Sequence, residues 1–575
     1  MARSFIPTLR AASMALVVAF APQVGVAELA NTDLSKLRIA LGAIVDDADA
    51  GFDAPADVAA YWDTLMSPKP PLADIGVAQA PLPAPNTLGN SFFGTTSSVS
   101  MTDTTSASND GGGLFALQRS QASSVVLPAA APSQLTPTIG TLAPLAFNTN
   151  PQINAAPAAP HDVDMTNFRI MLAGLSQTYT GKNATAVVNA QGPRGPIAVS
   201  VRSGTVTLAD IRSYATALGF PPLPDGTMTV PVVIWPNATF RLNPNDRMAL
   251  ARDAGAFILA LGTLDVNGAT IEVTGTPNTH TPSFVPFVTI AAGGSLLMKN
   301  ATLRGLGFGQ TAKFSGLSVA GNLLQQSRGK ITIIDSLFDG LLTMTLAGVS
   351  GAEISGNTFI NVRSNTLRLI NAPHTDINNN LFTGNLRTNG IRVDVGSSET
   401  RISKNIFLSG QRVAMLVTGG SDRVRISENI VWKRDGAGVK FLQTHCGSAT
   451  DNILLDNRQK GIEVRKSMGT TVNGNLIAGN GSAGIWVSAQ QPDARTSLQR
   501  NVLVANGSGL SAATGAEILM RDNNFTQQLP RLLDGDIARL TPNVAADLRG
   551  VTPLRLKDGF AAQDVEIMTL CGSKS

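Results

Sequence analysis

An Asn-x-apolar element recurring every 22 to 26 residues, a Gly-Ile-x-Val ladder running between those marks, and short β-runs broken by Gly and Asn turns predict an all-β chain. The fold they specify is a right-handed parallel β-helix. The asparagine marks are Asn357-Thr-Phe359, Asn380-Leu-Phe382, Asn405-Ile-Phe407, Asn429-Ile-Val431, Asn452-Ile-Leu454, Asn475-Leu-Ile477, Asn501-Val-Leu503 and Asn523-Asn-Phe525, with Ser336-Leu-Phe338 standing 21 residues ahead of the first. The second ladder reads Thr366-Leu-Arg-Leu, Gly390-Ile-Arg-Val, Ala414-Met-Leu-Val, Gly438-Val-Lys-Phe, Gly461-Ile-Glu-Val and Gly484-Ile-Trp-Val. Two short strands and their turns fill one coil, and each strand pairs with the coils above and below at about 4.8 Å. Asparagines stacked in an interior turn can hydrogen-bond along the axis and satisfy backbone groups that burial would orphan. A leucine-rich repeat would need L-x-x-L-x-L with an intervening helix, and a propeller about four strands in each ~40 residues; neither pattern is present.

Along the chain, residues 1–27 read as an export signal. Arg3 and Arg10 precede the apolar run Ala11 to Ala21, and Gly25 and Ala27 offer a cut ahead of Glu28. The alternative is a retained anchor. No later segment has the apolar length of a membrane span, so the expected location is the periplasm or outside the cell. Residues 28–66 form a short helical segment, in which Leu34, Leu37, Ile39, Leu41 and Ile44 give an apolar stripe. Residues 67–160 are rich in Pro, Ser, Thr and Ala and read as a disordered arm or linker. A small α/β lead-in occupies 161–228, with helices expected at Phe168 to Leu175 and Leu208 to Leu218. The β-helix follows over 229–530 and a cap or tail over 531–575. Cys446 and Cys571 could pair in an oxidising compartment.

The charge balance of 44 Lys and Arg against 40 Asp and Glu is too even to argue for nucleic acid, and four Trp and three Tyr give little for base stacking. No run of acidic residues resembles a calcium loop, so neither metal nor cofactor is expected.

In a strand the Ile and Val of Gly-Ile-x-Val point inward and x points out. The outward column is therefore Arg368, Arg392, Leu416, Lys440, Glu463 and Trp486. Two positions on it is Ile370, Asp394, Thr418, Leu442, Arg465 and Ser488. Guanidinium groups in register suit the carboxylates of an extended uronate chain, which each can grip in a bidentate way. Arg363, His374, Asp376, Arg387 and Arg412 fall in turns of the same coils, and histidine is the side chain whose proton moves near neutrality. The competing reading is that outward positions on any soluble β-helix are polar, and that His374 is an ordinary turn residue.

Residues 162 to 530 resemble the periplasmic mannuronan C-5-epimerases of alginate-producing bacteria. The resemblance rests on the order of Gly204-Thr-Val-Thr-Leu-Ala-Asp-Ile, Val230-Pro-Val-Val-Ile-Trp-Pro-Asn, Asp253-Ala-Gly-Ala-Phe-Ile-Leu-Ala, Phe284-Val-Pro-Phe-Val-Thr and Leu303-Arg-Gly-Leu-Gly. That family carries an Asp-Pro-His-Asp stretch whose histidine is taken as the base. At the matching ladder position this chain has Arg368-Leu-Ile-Asn371, with Pro373-His374 and Asp376 shifted toward the turn. The resemblance implies a carbohydrate-active protein acting on an acidic exopolysaccharide, with an epimerase first among the readings. A polysaccharide lyase and a non-catalytic component of an export complex, touching other export proteins, are the alternatives. In the enzyme reading Arg392 or Arg368 neutralises the substrate carboxylate. His374 is the base, Asp394 or Asp376 orients it, and Lys440 or water returns the proton. Arg363, Arg387, Arg412 and Trp486 complete the expected substrate contacts.

Overall fold

The computed structural model describes residues 34–66, 162–169, 172–173, 183–309, 314–321, 329–557, 559–563 and 571. The expected signal segment and the arm at 67–160 lie outside them. Each coil has three strands, one more than the periodicity predicts. In the central coil these are Leu367–Ile370, Asp376–Asn378 and Leu381–Thr383, which define faces A, B and C of the solenoid. Face C is a parallel sheet of twelve strands, and faces A and B join through the long strand Val232–Leu242. The face B strand escapes a periodicity search because it is a three-residue polar–Ile–polar unit, as in Asp376-Ile-Asn378, Arg401-Ile-Ser403 and Arg425-Ile-Ser427. One buried apolar residue per strand carries too little alternation to read.

The interior explains the repeats. Phe338, Phe359, Phe382 and Phe407 point inward from face C and stack with centroids 4.9, 4.9 and 4.4 Å apart. The predicted asparagine ladder is present and fully buried. In each step one amide oxygen accepts both the backbone N–H and the side-chain N–H of the asparagine a coil earlier, as Asn429 does from Asn405 at 3.0 Å. Those residues have no water to turn to, so the ladder satisfies the turn as it fixes coil register. A second ladder, Asn457, Asn480, Asn506 and Gln528, runs through the turn between faces C and A. It begins only in the later coils, which left its period unread in the sequence. The Gly of Gly-Ile-x-Val is required by close approach: a Cβ on Gly461 would stand 2.7 Å from the carbonyl of Gly484.

Both ends of the solenoid are closed. Asp162–Asn167 is a strand lying antiparallel to Ile197–Thr207, which itself pairs in parallel with Val232–Leu242, so coil pairing begins upstream of residue 229. The helix expected at Phe168 to Leu175 lies largely outside the described residues, and Asn183–Asn189 is a helix that the sequence does not predict. The expected helix near Leu208 spans Leu208–Ala217 and starts at a capping box formed by Thr207 and Asp210. At the far end Leu554–Lys557 and Phe560–Gln563 form an antiparallel pair on the last face B strand and cover its edge.

The described residues before 67 form two helices, α1 (Leu34–Ala50) and α2 (Val58–Met66). Leu37, Leu41, Ile44, Val58 and Leu65 cover the outer surface of face C, packing on Leu381, Ile406, Ile430, Ile453, Leu476 and Val502. An ion pair from Arg38 to Asp456 at 2.6 Å fixes the register of α1. Face C is therefore an internal interface. No helix among the described residues is long and apolar enough to cross a membrane.

Candidate functional site

Face A remains, and its register is the one the sequence specifies. Arg368 pairs with Arg392, Arg392 with Leu416, Leu416 with Lys440, Lys440 with Glu463, and Glu463 with Trp486. In the coils before these the outer surface of face A is roofed. Val233, Leu259, Ala291, Ala320 and Ala347 are buried with Phe168, Phe257, Phe284, Phe287 and Phe314, and Ile370 closes the far edge of that cluster. The charged column begins where the roof stops.

Its charges are organised into two triads. Asp394 lies between two arginines, accepting from Arg368 Nη2 at 3.1 Å and from Arg392 Nε at 2.8 Å. Glu463 likewise lies between two lysines, 2.9 Å from Lys440 Nζ and 3.5 Å from Lys460 Nζ. Both carboxylates are only 5% exposed, while the four cations stay a fifth to a third open. Each triad therefore holds one carboxylate down on the sheet and leaves one positive charge in excess facing outward. Leu416 separates them. The Lys460 ammonium also lies 5.1 Å from the centre of the Trp486 ring, which is partly exposed. Lys460 was not found from the sequence because it stands one residue ahead of the Gly-Ile-x-Val frame, at the entry of the strand Lys460–Arg465.

His374 belongs to a different cluster. It sits at φ 56° in the turn between faces A and B, exposed, with Nδ1 3.3 Å from Glu399. Glu399 in turn binds Arg423 at 3.1 Å, and one coil further Asp422 faces His445 at 3.2 Å. The expected partner of the imidazole, Asp394 or Asp376, is thus replaced by Glu399. Asp394 is engaged by the arginines, and Asp376 meets Asn378. His374 and Arg392 therefore pair with different carboxylates, Glu399 and Asp394. Beside this turn Cys446 and Cys571 form a disulfide, tying residue 571 to the solenoid.

The turn arginines divide into two kinds. Arg363 is structural: its guanidinium donates to the carbonyls of Gly340, Gly305, Leu306 and Gly307, and burial pushes its pKa down. Its side chain is nonetheless exposed, as expected of a surface contact. Arg387 and Arg412 are exposed at the edge of face A. Arg434, which the sequence did not single out, is fully buried and donates to the carbonyls of Arg412, Ser409, Thr388 and Val413. Desolvation brings its pKa down to about 10. It caps the second amide ladder, taking the Oδ1 of Asn457 on its backbone N–H at 3.1 Å.

A family model described as the right handed beta helix region matches residues 311–449, 342–503 and 446–530. Among solved structures the chain is similar to the periplasmic alginate epimerase AlgG, at 18% identity over 66% of this chain and 94% of that one, with a TM-score of 0.54. A variant of AlgG matches at 17% identity over 70% and 99% of the two chains, with a TM-score of 0.52. The chain is a right-handed parallel β-helix. No curated protein matches it by sequence. At this identity the likeness carries the fold of the β-helix, and the chemistry of its faces has to be argued from the side chains above.

Proposed function

We propose that this β-helix acts on an acidic, mannuronan-type polysaccharide laid along the unroofed half of face A, and that its reaction is C-5 epimerisation. The observation that carries the reading is the pair of carboxylate-bridged cation triads, in register on the one stretch of face A where the aromatic roof ends. A polyuronate offers carboxylates at regular intervals, and Arg368 and Arg392 present planar donors matched to them. Epimerisation removes the proton beside a carboxylate and returns one from the opposite side. The cost lies in the negative charge that spreads onto that carboxylate, and fixed guanidinium groups in a partly desolvated site lower it. His374, exposed and oriented by Glu399, takes the role of base, and water returns the proton. The Cys446–Cys571 disulfide fits a periplasmic or secreted location.

A second reading, a non-catalytic face that guides polymer in an export complex, is favoured by the partner of His374, which is Glu399 and not a member of the arginine triad. Incubating polymannuronate with the protein in deuterium oxide distinguishes them. Epimerisation places deuterium at C-5 and gives guluronate signals in the proton NMR spectrum, whereas a lyase raises ultraviolet absorbance as an unsaturated end forms. Polymer that binds but takes up no deuterium, tried with several uronans, would remove the enzyme reading and leave the binding one.

A further inference from the structure

The two triads are alike in construction and separated by a fixed distance along the axis, and this has a consequence for the length of chain they hold. From Arg392 the register column passes through Leu416 and Lys440 to Glu463, three coil steps. At about 4.8 Å per step the centres of the triads lie roughly 14 Å apart, a span of about three sugar residues in an extended 1,4-linked chain. Leu416 offers no charge between them. Each triad has one carboxylate pinned at 5% exposure by two cations, and each therefore has room for one further carboxylate from outside. The second triad also has a partly exposed indole beside Lys460, a flat apolar surface of the kind on which a sugar ring stacks. One coil from Glu463 toward Trp486, the buried Oγ of Ser488 has no hydrogen-bond partner among the described residues.

We infer that Lys440, Lys460, Glu463 and Trp486 form a second carboxylate subsite. Together with the Arg368–Asp394–Arg392 triad it makes a two-point clamp for uronate residues three apart on a chain running along the solenoid axis. The inference rests on the proposed function and deepens it. A chain shorter than four uronates engages one triad at a time; a longer one engages both, and the second contact is then intramolecular. The clamp also fixes direction, because one end offers guanidinium groups and the other ammonium groups with an indole.

Isothermal titration of the full chain with sodium oligomannuronates of two to eight residues, at low salt, tests this. The expected result is a step, with the hexamer binding at least tenfold tighter than the trimer. Removing one lysine alone would strand the buried Glu463 carboxylate, so the informative variant replaces the whole triad, K440Q/E463Q/K460Q, with circular dichroism and the melting transition as the folding check. This variant should bind the trimer at the arginine triad alone, with the stoichiometry halved, and lose the step, and W486A should weaken the hexamer more than the trimer. An unchanged ratio of hexamer to trimer in the folded variant, or affinity rising smoothly with length in the native chain, overturns the clamp and leaves the proposed function standing. If no oligomer of any length binds, the proposed function itself falls.

Discussion

One register column runs the length of face A and carries two different chemistries. In the early coils it holds Val233, Leu259, Thr289, Ser318 and Thr345, all buried. In the later coils it holds Arg368, Arg392, Leu416, Lys440, Glu463 and Trp486, and most of these reach solvent. The backbone geometry is the same in both halves. The difference is the layer above, since Phe257, Phe287 and Phe314 pack over the first half with centroids 4.8 and 4.7 Å apart, and the second half has no such roof among the described residues. The solenoid supplies a flat, regular surface everywhere, and covering decides which part of it can meet a ligand.

The largest expected effect comes from breaking the roof. Phe287 is fully buried between two other rings, and Phe287→Ala should cost about 3–5 kcal/mol of stability, read by chemical denaturation. Binding of polymannuronate, measured where the variant is still folded, should not change. A folded F287A protein that no longer binds would show that the two halves of the column are not separable.

Next in size is Arg392→Ala on the open half. Removing a guanidinium that grips a carboxylate should weaken polymannuronate binding on the order of tenfold at low salt, and the loss should shrink as salt is added. Stability should fall by only about 1–3 kcal/mol, because Arg368 still pairs with Asp394. Affinity equal to the native chain would assign the arginine triad to scaffolding alone.

The contrast also explains what could be read in advance. Period, inward Ile and Val, and the asparagine ladder follow from local rules that repeat at every coil, so the fold and the order Arg368, Arg392, Leu416, Lys440 were legible. The pairing of His374 was not, because Glu399 comes from the next coil's turn and no spacing rule assigns a partner there. Arg363 and Arg434 look alike in sequence to Arg387 and Arg412. The carbonyls that Arg363 and Arg434 meet separate them, with burial added for Arg434 alone, and neither follows from spacing in the sequence. The roof was invisible for a related reason: Phe168, Phe257 and Phe314 lie far apart in sequence, and only the folded chain brings them over one face.

A subtler effect is expected at Asp394. The substitution Asp394→Asn keeps the shape but removes the charge that both arginines share, so the triad gains one positive charge outward. Polymannuronate affinity should rise a few-fold at low salt while the melting temperature drops. A triad that serves only the fold would show the drop without the gain. The opposite sign of the two effects makes this variant harder to mistake for general damage than a loss of binding would be.

The smallest effect, and the finest probe of the open half, is at the neutral gap. Leu416 is in register with Arg392 on one side and Lys440 on the other, so Leu416→Lys would place three cations in adjacent strands. Like charges directly opposite in a sheet cost roughly 0.2–1 kcal/mol, and the loss of a half-buried leucine adds to that, so the fold should be weakened slightly. If face A holds a polyanion the new lysine lies under the middle of the bound chain. Polymannuronate should then bind about two- to five-fold tighter at low salt, by the modest worth of one partly exposed ion pair. Thermal melts with and without polymer decide between the two outcomes. A melting temperature lower without polymer but raised more by polymer than in the native chain supports a ligand track over these coils, whereas a uniform drop means that the charges of face A answer only to one another.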